Sequence, residues 1–121
     1  MRPGTACAPV AHDPPRPLSE VERALVEKAL ATAMDGSALA VLMDRATVVE
    51  DCAGCAAFYC RSEYVRHDMI GELQGQDEDG MKVDCLVFVD DEGLWGADIH
   101  RVDGQPWKAM PDPSTFQPSG A

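Results

Sequence analysis

Basic side chains are scarce in this sequence, and between Asp68 and Asp103 they are nearly missing: Lys82 and Arg101 stand alone against 11 of the chain's 21 acidic residues. That stretch carries a balance of −9, most of the formal net charge of −11. A folded acidic surface repels nucleic acid and anionic lipid, which bind through lysine and arginine, and it attracts basic partners. Long apolar runs are missing too. No segment approaches the ~18 residues of a membrane-spanning helix. Met1 to Pro17, MRPGTACAPVAHDPPRP, lacks the continuous apolar core of a secretory signal, so the chain is expected in the cytoplasm. A G-x-S-x-G elbow, a P-loop and a dinucleotide fingerprint are all absent. The chain therefore reads as a non-enzymatic protein, with no catalytic residue and no cofactor.

What is present suits one small domain. The 121 residues are 45% hydrophobic, an ordinary globular content. Residues 1–17 hold five of the nine prolines and no apolar period, which predicts a flexible leader. Ser19 stands three residues before Glu22, the spacing of a capping box, with Leu18 just ahead of it. Behind this start, Leu18, Val21, Leu25, Val26, Ala29, Leu30 and Ala33 recur at helical spacing, and Asp35-Gly36 is expected to end the helix near Met34. Ser37 to Met43 (SALAVLM) suits either a strand or a helical turn.

Strands are the better reading from there on. Thr47 to Asp51 and Ala56 to Cys60 flank a plausible hairpin connection at Cys52-Ala53-Gly54-Cys55, and Met69 to Leu73 is a third candidate. Met81 to Val89 is the strongest, with Met81, Val83, Cys85, Val87 and Val89 on one face and Leu86 and Phe88 on the other, as in a central strand. Leu94 to Val102 follows, with Trp95, Ala97 and Ile99 alternating against Asp98, His100 and Arg101. Acidic Asp-Gly or Glu-Gly turns separate these strands, and short turns join antiparallel neighbours. The expected fold is α+β: one N-terminal helix packed on a four- to five-stranded antiparallel meander over residues 18–112. Trp107 lies in a docking segment, and 113–121 form a flexible tail.

Several constellations invite a chemical reading. Cys52-x2-Cys55 with Cys60 nearby suggests a small metal-binding or regulatory protein. Zinc needs four ligands, however, and Cys85 with His67 or His100 would have to come from elsewhere to complete the set. A redox pair at a helix start fits less well, since no helical pattern follows Cys55. The odd count of five cysteines (Cys7, Cys52, Cys55, Cys60, Cys85) in a chain without an export signal reads as free, reduced thiols, packed as small residues. Asp77-Glu78-Asp79-Gly80 resembles the start of a calcium loop, but Phe88 occupies the place of the twelfth-position glutamate, so an acidic turn is the better reading. Asp90-Asp91-Glu92-Gly93 reads the same way. His12 falls in the leader, and His100 reads as a packing residue of a strand.

From about Arg16 to Pro111 the order of features resembles a group of small, largely uncharacterised bacterial proteins. In these, an opening R-P-L-[ST]-x-x-E-R-x-L helix, here Arg16 to Leu25, precedes an acidic meander. The meander's signals are Asp77-Glu78-Asp79-Gly80-Met81-Lys82-Val83, Asp90-Asp91-Glu92-Gly93-Leu94, and Ala97-Asp98-Ile99-His100-Arg101-Val102-Asp103-Gly104-Gln105-Pro106. The resemblance implies a cytosolic α+β domain without an established active site. Small acidic proteins of this style are often immunity partners of bacterial toxins. The expected function is accordingly an immunity- or antitoxin-like protein that neutralises a basic partner through Asp77, Glu78, Asp79, Asp90, Asp91, Glu92 and Asp98. Trp95 or Trp107 would anchor the contact.

Overall fold

The capping box at Ser19 is formed: Ser19 Oγ accepts from Glu22 N at 3.1 Å, and Glu22 Oε1 accepts from Ser19 N at 2.8 Å. It starts helix α1 (Glu20–Leu30), which buries Leu25, Val26, Ala29 and Leu30, with Leu18 buried just outside. The helix stops at Leu30, earlier than Met34. Asp35 does not end it; its carboxylate accepts from Ala38 N at 2.8 Å and caps a second helix, α2 (Gly36–Arg45). The ambiguous SALAVLM segment is thus helical. It lays Leu42 and Met43 on the core and leaves Val41 56% exposed.

The computed structural model describes residues 8–53, 56–61, 65–109 and 112–118. The strands are β1 (Ala8–Pro17), β2 (Thr47–Ala53), β3 (Phe58–Tyr59), β4 (Asp68–Gln76), β5 (Lys82–Asp90), β6 (Gly93–Arg101) and β7 (Gln117–Pro118). They form one seven-stranded sheet in the order β1-β2-β3-β6-β5-β4-β7, every described pairing antiparallel. The α+β class and the β4–β5–β6 meander are as expected. The single helix and the four to five strands are corrected to two helices and seven strands among the described residues.

Strand β5 is central, between β6 and β4, and its alternation sets the two faces. Val83, Cys85 and Val87 are fully buried on one of them, in cross-strand register with Arg101, Ile99 and Ala97 of β6 and with Gly75, Leu73 and Gly71 of β4. The helices cover this side. Two glycines of β4 make the covering possible: a Cβ on Gly71 would meet Ala29 O of α1 at 2.8 Å, and one on Gly75 would meet the Phe116 ring at 2.7 Å. Small residues where another element crosses a sheet let backbones approach closely.

Both chain ends extend the sheet beyond the expected boundaries. The leader is, from Ala8 onward, a ten-residue edge strand paired with β2, with a register shift between Ala11 and Arg16. Its prolines (Pro9, Pro14, Pro15 and Pro17) cannot donate to a ladder, so an outermost strand is where they are tolerated, and they blunt that edge against further pairing. The tail from Pro113 to Pro118 is also folded. Asp112 caps a 3-10 turn at Pro113–Thr115, Phe116 is fully buried, and β7 pairs with Leu73 and Gln74 of β4. Lys28 of α1 holds the same segment through a 3.0 Å bond from Nζ to Pro113 O.

Candidate protein-binding face

The described residues put both helices on one side of the sheet, and antiparallel sheets can leave their second side to solvent. Cross-strand register defines rows on that open side. One row runs Met69, Phe88, Gly96, Tyr59; the next runs Glu72, Leu86, Asp98; a third runs Gln74, Asp84, His100; Gln76 and Lys82 follow. Lys82 is the only lysine or arginine that β4, β5 and β6 place here, because Arg101 points to the buried side. Carboxylates of Glu72, Asp84 and Asp98 therefore stand on adjacent strands with little compensation. His100 Nδ1 lies 3.3 Å from Asp98 Oδ1 and its Nε2 lies 4.0 Å from Asp84 Oδ2.

The first row carries an aromatic cluster. A register shift between Phe88 and Val89 leaves Trp95 as the extra residue of β6. Its ring stacks on His67 at 3.8 Å between centroids and 14° between planes. Phe88 and Tyr59 meet the same indole edge-on at 5.7 and 5.4 Å. Trp95 Nε1 is buried without a hydrogen-bond partner among the described residues. Met69 beside the cluster is 48% exposed. An apolar, aromatic centre with a charged rim is the anatomy of a protein–protein contact patch.

The acidic residues singled out in the sequence divide into two groups. Asp77 and Asp79 turn inward to Arg101: Nη1 to Asp77 Oδ2 is 2.8 Å and Nη2 to Asp79 Oδ2 is 3.0 Å, while Asp103 Oδ2 takes Nη2 at 2.8 Å. Burial works to raise the Asp77 carboxyl, but hydrogen bonds from Lys108 N and Arg101 outweigh it and hold the group below the usual range. Asp79 and Asp103 are held low chiefly by the Arg101 hydrogen bonds, Asp103 to about 2. Asp90 is likewise occupied; its Oδ1 accepts from Glu92 N, Gly93 N and Arg61 Nη2 at 2.8 to 3.0 Å. Glu78, Asp91 and Glu92 are exposed on turns at opposite ends of β5. Asp98 and Trp95 alone of the expected set share the open face.

Sequence reasoning missed Glu72, Asp84, Phe88, Tyr59 and His67 as members of this face. Asp84 was the available signal, since it continues the Leu86 and Phe88 alternation and a strand buried on both sides would not place a carboxylate there.

The reduced-thiol reading holds for Cys60 and Cys85 and is corrected at Cys52. Cys52 is disulfide-bonded, and Cys7 and Cys55 lie outside the described residues. Cys60 and Cys85 are free and buried, and burial pushes both thiols up to about 12. A zinc ligand must be a thiolate. A cluster on Cys52, Cys55 and Cys60 thus loses Cys52 to a disulfide. Among the described residues no group of three or more His, Cys, Asp or Glu side chains is arranged to hold a metal ion.

No family model, no curated protein and no solved structure matches this chain. No helix among the described residues is long and apolar enough to cross a membrane.

Proposed function

We propose that the chain is a protein-binding module that takes a basic partner on the open face of its sheet, in the manner of an immunity- or antitoxin-like protein. One observation carries the reading: Glu72, Asp84 and Asp98 rim an aromatic centre of Trp95, Phe88 and Tyr59 on a face where β4, β5 and β6 place Lys82 alone among lysines and arginines. Like charges on neighbouring strands cost stability, and a complementary cationic surface would relieve that cost on binding. Charge would speed and orient the encounter, and the indole with its neighbouring rings would supply the contact area. The resemblance of Arg16 to Pro111 to small acidic bacterial proteins supports the same reading.

The test is a pull-down from the source cell with the native chain and with a Glu72→Gln, Asp84→Asn, Asp98→Asn variant, followed by identification of what is retained. A basic protein held by the native chain, released by salt and lost in the variant is the expected result. Retention of the same partners by both chains, or a partner that is itself acidic, sinks the proposal. A neighbouring reading frame that encodes a large protein with a basic end would identify the candidate toxin.

A further inference from the structure

A cavity of about 500 Å³ opens between the start of α1, strand β2 and the segment that follows β6. Its apolar lining comes from Val21, Leu25, Ala57, Ile99 and the Trp107 indole. The size is that of a small-molecule site, which needs an apolar body and a few placed polar groups. Four charged residues contribute to its lining as well: Arg16, Glu22, Asp51 and, exposed at its margin, Lys108.

Hydrogen bonding shows which of these charges are still available. Arg16 is saturated. Its Nε and Nη2 donate to Asp51 Oδ2 at 3.3 and 2.9 Å, its Nη1 and Nη2 donate to the two Glu22 oxygens at 2.8 Å each, and Nη1 also reaches Pro17 O at 2.9 Å. Glu22 is spent on Arg16 and on the Ser19 amide. Asp51 takes its bonds, including 3.0 Å from His12 Nε2, on Oδ2, so Oδ1 accepts none among the described residues. Lys108 lends only its backbone N–H, to Asp77, and its ammonium has no partner among the described residues. The cavity thus has a carboxylate oxygen in its wall and an exposed lysine at its margin, both without partners among the described residues, beside an apolar floor. Trp107 Nε1 is also buried without an acceptor.

We infer that this cavity binds a small zwitterion with an apolar side group, of the class of an apolar α-amino acid. The ligand's ammonium would pair with Asp51 Oδ1, its carboxylate with Lys108, and its side chain would lie against Leu25, Ile99 and the indole, where a cation near the ring adds attraction. A plain amine would leave Lys108 facing it with like charge. A plain carboxylate would face Asp51. The cavity is built on the helix-covered side, with Ile99 in its wall, so its occupancy is independent of the partner proposed for the open face.

The test follows the Trp107 indole N–H by NMR, assigned with Trp107→Phe, during titration of the full chain with L-leucine, N-acetyl-L-leucine and isoamylamine. L-Leucine should give a saturable shift with a Kd in the range of about 1 mM or tighter. The two analogues, each lacking one charge, should bind at least about tenfold more weakly. Lys108→Met should weaken L-leucine and leave isoamylamine no weaker, since it removes a like charge; Asp51→Asn should weaken L-leucine and leave N-acetyl-L-leucine no weaker for the same reason. Val21→Phe, which fills the cavity from α1 without touching the Arg16 ion pairs, should abolish all shifts and stands in if Asp51→Asn does not fold. Analogues that match L-leucine, shifts that survive Val21→Phe, or no saturable shift with L-leucine would each overturn the assignment.

Discussion

Arg101 Nη1 donates to Asp77 Oδ2 at 2.8 Å with the two side chains 4% and 1% exposed, which ties the end of β6 to the β4–β5 turn. The same guanidinium holds Asp79 and Asp103, and Asp77 Oδ2 also accepts from Lys108 N at 2.8 Å. One arginine therefore fixes two turns and the start of the C-terminal segment. Removing a buried cation leaves its carboxylates facing one another without compensation.

Arg101→Leu should lower the Tm by roughly 5–15 °C in a thermal melt near neutral pH. The native chain's pH dependence follows from the same contacts. Folding depresses the carboxyls of Asp77, Asp79 and Asp103. Their stabilisation is complete above the ordinary carboxylate value of about 3.9 and is lost as pH falls through the folded value, about 2 for Asp103. The Arg101→Leu variant should show the opposite trend over this window, because protonation relieves its carboxylate repulsion. A variant whose Tm follows the native curve at constant offset would show that the three carboxylates do not depend on Arg101.

Phe116 and Gly75 form a second testable pair. Phe116→Ala removes a fully buried ring and should cost about 3–5 kcal/mol. Gly75→Ala places a Cβ 2.7 Å from that ring and should cost about 1–3 kcal/mol alone. In a Phe116→Ala background the Gly75→Ala cost should largely vanish, which a double-mutant cycle by urea denaturation would measure. Additive costs would mean that the strain lies elsewhere.

How far these relationships were legible in the sequence depended on whether their cause is local. The Ser19–Glu22 box and the Val83, Cys85, Val87 alternation rest on neighbouring residues, and both are present as read. Strand β1 was hidden because proline depletes the donors by which strands are recognised, and only its outermost place in the sheet reconciles the two. Phe116 is a lone aromatic among prolines, with no period to announce its burial. The inward turn of Asp77 and Asp79 depends on Arg101, which lies 24 and 22 residues away. Its signal was the rarity of a cation in the acidic stretch, which marks that cation as a partner. The open face emerged only once register aligned Trp95, Phe88 and Tyr59.

Deleting residues 8–15 should destabilise the fold, because it strips β1 from β2 and exposes an edge that the prolines protect. A Tm loss of roughly 5 °C or more, together with concentration-dependent association in light scattering, is expected. An unchanged melt would mean that β1 contributes no net stability.

The two free described cysteines should be inert in the native chain. With thiols pushed up to about 12 by burial, Cys60 and Cys85 hold on the order of one thiolate in ten thousand at about pH 8. Mass mapping after iodoacetamide should find both unmodified in native protein and both alkylated in guanidinium. Rapid native labelling of Cys60 would place it at the surface.

The open face and the turns make separable predictions for the basic partner. Glu72→Gln with Asp84→Asn and Asp98→Asn removes the rim of the aromatic cluster, whereas Glu78→Gln alone, or Asp91→Asn with Glu92→Gln, removes exposed charge at either end of β5. Rim neutralisation should slow association by about tenfold or more at low salt and flatten its salt dependence. Each turn variant should change the rate less, since those charges sit on the turns at the ends of the sheet and not on its open face. Trp95→Ala should act on dissociation instead, costing about 2 kcal/mol or more of binding, with Tm followed in parallel because the indole also packs on Tyr59, His67 and Phe88. Surface plasmon resonance against the captured partner, across a salt series, resolves the two kinetic effects. If the turn variants slow association as much as the rim variant and Trp95→Ala leaves dissociation unchanged, the contact surface lies at the ends of the sheet and the open face only keeps the chain in solution.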